Sequence, residues 1–155
     1  MDKIDIKIIN MLIDNSRTSV SSIAQKVNMS VSAAAERIRK LEASKVIQQY
    51  TAILDEKQIG LDTIAFVSVN MEHPNCFESF AEYVRKQDAV VECYFCAGDV
   101  DYMLKLKTKT IVELQNILSD IRRVPGVSRY KTMIVLSTEK EKYTSRLDLS
   151  VADTQ

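Results

Sequence analysis

Ser30, Ser32, Ala33, Glu36, Arg37, Arg39 and Lys40 gather small side chains, one carboxylate and three cations on a short stretch of chain. The cations can meet phosphate oxygens or guanine edges, the carboxylate can accept from a cytosine amino group, and the small residues let a backbone approach the bases. Double-stranded DNA is the partner such a set implies. The plainer alternative is a solvated helix surface, because Glu36 and Lys40 stand four apart and pairs of that spacing stabilise any helix.

The elements that carry these groups favour the first. Val20, Ile23, Ala24 and Val27 repeat on one helical face, Asn28-Met29-Ser30 turns, and Val31, Ala34, Ala35, Ile38 and Leu41 line a second face. That is helix-turn-helix spacing, with the polar groups directed away from the second stripe as a helix in a major groove requires. Ser19 and Ser30 stand where N-caps belong, and Asn28 takes the left-handed position of the turn, which Asn tolerates best after Gly. A preceding helix over residues 2–14, capped by Asp2 and apolar at Ile4, Ile8, Ile9, Leu12 and Ile13, completes a three-helix unit.

Other chemistry is sparse. Gly98-Asp99-Val100-Asp101 suits a hairpin turn, where Gly and Asp supply the geometry; it can equally hold an amino acid, with backbone N–H groups on the carboxylate and Asp99 or Asp101 on the ammonium. Cys93 and Cys96 have redox or metal spacing but fall within an expected strand, where positions three apart point to opposite faces. With Cys76 they form an odd set of three, against a disulfide scaffold and in keeping with a reducing compartment. His73, beside Pro74, is the only histidine, so neither a metal site nor proton-transfer catalysis is expected, and the chain reads as a non-enzyme without cofactor.

Beyond the helical unit, residues 46–53 are apolar and β-prone and read as a short linking strand, followed by a connector over 54–62. Strands are expected over 63–71, 90–96, 102–107 and 127–136. A helix over 76–86 shows Phe77, Phe80, Ala81 and Val84 on one face, and a second opens on a Thr110/Glu113 capping box and buries Ile111, Leu114, Ile117, Leu118 and Ile121 before Pro125-Gly126. The order βαββαβ gives a ferredoxin-like sandwich, four antiparallel strands with both helices on one face. The fold class is therefore α+β: a helix-turn-helix domain over 1–53, the ferredoxin-like domain over 63–138, and a polar tail over 139–155.

Charge and patterning bear on assembly. Between residues 16 and 49 the cations Arg17, Lys26, Arg37, Arg39, Lys40 and Lys45 face only Glu36 and Glu42, yet the whole chain has zero net charge. One such patch binds DNA weakly, so at least two copies must act together. Val67, Val69, Val91 and Val135 supply apolar residues for both faces of the sheet, and a second copy packed sheet to sheet is the simplest cover for the face without helices. No run reaches about 18 apolar residues and the start lacks a signal-peptide pattern, so the expected place is the cytoplasm, without a membrane partner.

In this sequence Asp2-Lys3-Ile4-Asp5-Ile6-Lys7-Ile8-Ile9, Glu36-Arg37-Ile38-Arg39-Lys40-Leu41-Glu42, Ile47-Gln48-Gln49-Tyr50-Thr51-Ala52 and Gly98-Asp99-Val100-Asp101-Tyr102-Met103-Leu104-Lys105 follow one another in the order seen in the Lrp/AsnC family of feast/famine regulators, which the chain resembles over nearly its whole length. The resemblance implies a winged helix-turn-helix, a linking strand and a ferredoxin-like domain that forms dimers and then tetramers or octamers. It also implies an amino-acid effector bound between subunits, in a pocket including Gly98, Asp99, Val100 and Asp101, with Ile111, Thr132, Ile134 and Leu136 as walls. The chain departs from the family pattern at Asn28, where Gly is frequent, and at Val31, where Pro is frequent. Two other classes remain: a decarboxylase acting on a tetrapyrrole, as Lrp-like folds also serve, and a ligand-sensing assembly module without DNA binding.

Overall fold

Asp2 accepts from the backbone N–H groups of Ile4 and Asp5 at 2.8 and 2.9 Å, while the Asp5 carboxylate accepts from the N–H of Asp2 at 2.9 Å. This capping box satisfies donors that a helix leaves free, and it starts α1 (Lys3–Asp14). The computed structural model describes residues 1–150. These divide into two compact units, Met1–Ile53 with the segment that begins at Lys140, and Leu54–Glu139.

In the first unit α2 (Val20–Lys26) and α3 (Val31–Ala43) open on Ser19 and Ser30, whose hydroxyls accept from the N–H groups of Ser22 and Ala33. Between them Asn28 adopts φ 55°, donates to the Gln25 carbonyl at 3.3 Å, and is followed by Met29 donating to Ala24 at 2.9 Å. These two bonds make the paired helix-ending arrangement in which a left-handed residue lets the chain double back. Ile8, Ile9, Ile23 and Leu41 form the buried centre, with Ile38, Val27 and Ile47 against it. Ile6 is buried as well. Val31, expected in the apolar stripe, is half exposed, because it lies in the first turn of α3, ahead of the buried Ala34.

Two features of this unit differ from expectation. Residues 46–53 form no strand: Ile47 donates to Leu41 at 3.1 Å and Tyr50 donates to the Glu42 carboxylate at 2.9 Å, but among the described residues no second strand lies alongside, and β-propensity without a neighbour makes no ladder. Burial, then the bond to Glu42, pushes the Tyr50 phenol up to about 12. The polar tail also proves to be part of the unit. Asn10 donates to the Leu147 carbonyl and accepts from its N–H, both at 2.9 Å, Arg146 pairs with Asp14 at 2.9 Å, and Leu147 packs on the apolar centre.

The second unit contains β1 (Thr63–Met71), α4 (Phe77–Arg85), β2 (Val90–Phe95), β3 (Tyr102–Thr108), α5 (Ile111–Arg123) and β4 (Val127–Ile134). The sheet runs β2-β3-β1-β4 with every neighbouring pair antiparallel, the topology expected of a ferredoxin-like sandwich. Alternation sends Ala65, Val67 and Val69 of β1 and Tyr102, Leu104 and Leu106 of β3 under the helices, where Phe80 and Val84 of α4 and Leu114 and Ile121 of α5 cover them. Full burial of each such aliphatic or aromatic side chain contributes roughly 1.5–3 kcal/mol. Val67 and Val69 thus both belong to the covered face; Val91 falls at a register shift in β2 and is about half exposed. At α5, Thr110 accepts from Glu113 as expected, but the Glu113 carboxylate takes the N–H of Lys109, one residue earlier than a capping box would.

Gly126, at φ +86°, closes the turn into β4, and a Cβ there would lie 2.4 Å from the Cys76 sulfur. Only glycine fits. Among the described residues no helix is long and apolar enough to cross a membrane.

Candidate nucleic-acid interface and ligand groove

α3 divides its residues sharply. Ala34 and Leu41 are buried, Ile38 packs on the centre, and the opposite side carries Ser32, Ala33, Glu36, Arg39 and Lys40. Ser30 is occupied in part by its own helix: its hydroxyl caps Ala33 at 3.2 Å and touches the Ser32 hydroxyl at 3.1 Å. Glu36 and Arg39 pair at 2.6 Å, with side chains 45% and 70% exposed, a pair that solvent and salt weaken and that a phosphate or base can displace. Lys40 is exposed beside them.

Arg37 departs from the expectation of a DNA-facing cation. Its guanidinium donates to Asp5 at 2.7 Å and to Asp2 at 2.8 Å, with its side chain only 29% exposed, so it ties α3 to the capped start of α1. The hydrogen bond to Asp5, then that to Asp2, raises its pKa further and keeps the charge fixed there. In return, the Asp2 carboxyl is held below its usual range, chiefly by the N–H of Asp5 and also by Arg37. The sequence carried no signal for this contact, because Asp2 and Asp5 already accept from backbone N–H groups in the capping box and do not call for a cation.

The turn between β2 and β3 is fastened to the end of β1. Asp101 donates its N–H to Val69 at 3.1 Å and accepts from the Met71 N–H at 2.7 Å, where a register shift between Asn70 and Met71 leaves that donor without a strand partner. Asn70 donates to the Asp99 carbonyl at 2.7 Å. The Asp101 carboxylate is therefore engaged by its own backbone, while the Asp99 side chain lies exposed next to Gly98 and Val100.

Ile111, Thr132 and Ile134 come together elsewhere, in a groove of about 470 Å³ between α5 and β4, lined also by Leu114, Gln115, Leu118, Ser119 and Tyr130. Leu136, 98% exposed beyond the end of β4, is not among its walls, and neither are Gly98, Asp99, Val100 and Asp101. The Thr132 hydroxyl is buried without a hydrogen-bond partner, and the Ser119 hydroxyl donates to the Gln115 carbonyl at 2.9 Å. Gln115 and Ser119 escaped the sequence reading although they lie one and five positions from Leu114 on the same helix, because the apolar stripe of α5 reads as core alone.

Burial pushes the Cys93 thiol up, with the neighbouring Cys96 adding to the effect, and among the described residues no three His, Cys, Asp or Glu side chains group as metal ligands.

Comparison with known proteins places both units. A family model described as winged helix-turn-helix DNA-binding matches residues 1–48, and one described as Lrp/AsnC ligand binding domain matches residues 64–145. The HTH-type transcriptional regulator FL11 of Pyrococcus horikoshii is 38% identical over 91% of this chain and 93% of its own length. The leucine-responsive regulatory protein of Escherichia coli K12 is 32% identical over 95% of this chain and 90% of its own. Among solved structures, a Neisseria meningitidis transcriptional regulator in complex with L-methionine superposes with a TM-score of 0.89 at 28% identity, covering 97% of this chain and 98% of that one. An AsnC family regulator from Agrobacterium tumefaciens gives 0.88 at 27% identity, covering 97% and 99%. With these matches spanning the helix-turn-helix and the four-stranded sheet alike, the chain belongs to the Lrp/AsnC family of DNA-binding transcriptional regulators.

Proposed function

We propose that α3 enters the major groove of double-stranded DNA with Ser32, Ala33 and Glu36 toward base edges and Arg39 and Lys40 toward phosphates, Ser30 serving as the cap that sets the helix start. The observation that carries this reading is the division of α3, whose one inward-turned cation, Arg37, is bound to Asp2 and Asp5 while its other charged groups face outward. The test is binding to a duplex from the protein's own promoter region. Affinity should fall steeply between roughly 50 and 200 mM salt as phosphate contacts are screened, and a flat response overturns the assignment.

A second copy completes the regulator in this proposal. The sheet face away from the helices carries Ile64, Phe66, Met103 and Met133, and no element of the second unit's helical layer covers it. Packing two such faces together makes a dimer that sets two α3 helices about one helical turn, ~34 Å, apart, and further pairing yields tetramers or octamers. Sedimentation of the full chain and of Phe66→Asp tests this: the wild type should sediment as a dimer or larger and the variant smaller, and a monomeric wild type overturns it.

The groove between α5 and β4 is the effector site in this reading, with Ile111, Thr132 and Ile134 joined by Leu114, Gln115, Leu118, Ser119 and Tyr130. Support comes from the buried, unpartnered Thr132 hydroxyl. Any part played there by Gly98, Asp99, Val100 or Asp101 requires a neighbouring copy, since in one chain that turn is anchored to β1. Bound amino acid biases assembly or DNA grip, in the cytoplasm and without catalysis. The relatives named above are regulators, which leaves the decarboxylase and the DNA-free sensor without support.

A further inference from the structure

Each residue of α3 is turned about 100° from the one before, which fixes where its outward groups stand. Measured from Ser32, Glu36 lies about 40° round the helix, Lys40 about 80°, Ala33 about 100°, and Arg39 about 20° the other way. The outward arc therefore runs from Arg39 to Ala33 with Glu36 near its middle, roughly 160° from the buried Ala34 and about 140° from the buried Leu41. Cations occupy both flanks, and a carboxylate occupies the centre. A helix seated in the major groove turns the centre of such an arc to the base edges and its flanks to the two phosphate strands.

An ionised carboxylate can only accept. In the major groove guanine presents N7 and O6, thymine presents O4, and adenine presents its amino group beside N7, so each brings an acceptor toward the incoming charge. Cytosine alone presents an amino group with no acceptor of its own alongside. In the free protein the Glu36 carboxylate is held by Arg39 at 2.6 Å, in a pair exposed enough to be exchanged for other partners.

Resting on the reading of α3 as the helix that enters the groove, we propose that Glu36 is a specificity-determining residue that requires cytosine at one position for each copy bound. Over cytosine the carboxylate accepts from the N4 amino group and releases Arg39 to a neighbouring phosphate. Over any other base it meets acceptors, or it stays tied to Arg39 and withholds that cation from the phosphates. Glu36 thus acts as much by weakening wrong sites as by bonding the right one.

The test is selection of duplexes from a randomised library by the full-length wild type, Glu36→Gln and Glu36→Ala, followed by titration of the selected duplex and of one with the cytosine replaced. Because the Glu36–Arg39 pair is exposed, both variants should melt within about 4 °C of the wild type. The wild type should select cytosine at one position per copy and bind that duplex about tenfold or more tightly than the replaced one. Glu36→Gln, whose amide both donates and accepts, should select adenine at the same position and leave the neighbouring positions unchanged. Glu36→Ala should lose the preference there and bind unselected duplex about fivefold more tightly, since one charge of the phosphates' own sign is gone. Selected sequences that neither substitution alters, or a base other than cytosine at the position they do alter, overturn the role of Glu36 while the docking of α3 stands. Duplex binding that responds neither to salt nor to Arg39→Ala overturns the docking, and the role of Glu36 with it.

Discussion

Arg37 and Arg39 lie two positions apart on α3, one bound to Asp2 and Asp5 and the other exposed, and the proposed DNA interface gives them opposite work. Replacing Arg37 with Ala removes two charge-assisted bonds, at 2.7 Å to Asp5 and 2.8 Å to Asp2, and leaves those carboxylates facing each other at the start of α1. Buried bonds of this kind contribute about 1.5–3 kcal/mol each, but Asp2 is 50% exposed and its share is small, so the expected loss is about 2 kcal/mol. For a domain of about 60–100 residues that lowers the melting temperature by roughly 8–16 °C. Arg39→Ala breaks only an exposed pair with Glu36, and should move the melt by no more than about 4 °C. DNA binding reverses the ranking. Measured well below both melts, Arg39→Ala should reduce the slope of log affinity against log salt by about 0.9 for each copy bound, and Arg37→Ala should leave it unchanged. Calorimetry and a salt series of fluorescence anisotropy measure the two quantities separately. If Arg37→Ala flattens the salt slope and leaves the melt alone, the division of labour on α3 is wrong.

Asn10→Ala removes both bonds to Leu147 and should destabilise the first unit by about 1–2 kcal/mol by urea titration, with a chain ending at Glu139 losing more; an unaffected melt would show that the C-terminal segment does not hold α1. Gly126→Ala should cost about 2 kcal/mol or more, from the positive φ and the contact with Cys76, and Cys76→Ala should not restore it, because the Cys76 Cβ also lies 2.5 Å from the added methyl. Asp2 has a folded pKa below its ordinary 3.8, so its stabilising contribution is complete above about pH 4 and is lost as pH falls through the lowered value. Asp2→Asn, which keeps a capping oxygen, should therefore show a flatter loss of stability below about pH 4 than the wild type, and parallel curves would assign the acid sensitivity to other groups.

Where a structural decision is made within one turn or one strand, the residues announce it. Asp2, Ser19, Ser30 and Thr110 cap helices because a short oxygen-bearing side chain reaches the free N–H groups of its own first turn, and Asn28 shows its left-handed backbone by its type and its place after Val27. The alternation of Tyr102, Leu104 and Leu106 with Met103, Lys105 and Lys107 likewise fixes which face of β3 is covered. What escaped were partnerships between distant segments. Nothing near Leu147 indicates that Asn10 will pair with its backbone, and nothing near Arg37 says whether its cation meets a phosphate or a carboxylate 32 positions away. The linking segment shows the converse limit: Val46, Ile47 and Tyr50 prefer extended backbone, but a ladder needs a neighbour that local preference does not supply. For the groove, α5 presents one stripe whose inner half packs on the sheet and whose outer half faces the cavity, and periodicity cannot separate the halves.

The fixing of Arg37 also sharpens the case for multiple copies acting together. With net charge zero over the whole chain, long-range attraction to DNA must come from the local patch, and one of its cations is already neutralised by Asp2 and Asp5. Arg39 is partly offset by Glu36, which among the described residues leaves Lys40 as the cation of α3's outer face without an ion pair, with Arg17, Lys26 and Lys45 elsewhere in the unit. Each phosphate neutralised adds only about 0.9 to the salt slope, so a single unit touching two or three phosphates binds weakly and loses its hold at moderate salt. Joining two units turns the second contact into an intramolecular one, at an effective concentration in the millimolar range for a short connection, and each added copy multiplies the affinity again. In the proposed assembly, DNA occupancy responds steeply to the number of copies joined. A ligand that shifts the assembly by even a few-fold then changes DNA occupancy without touching α3 at all.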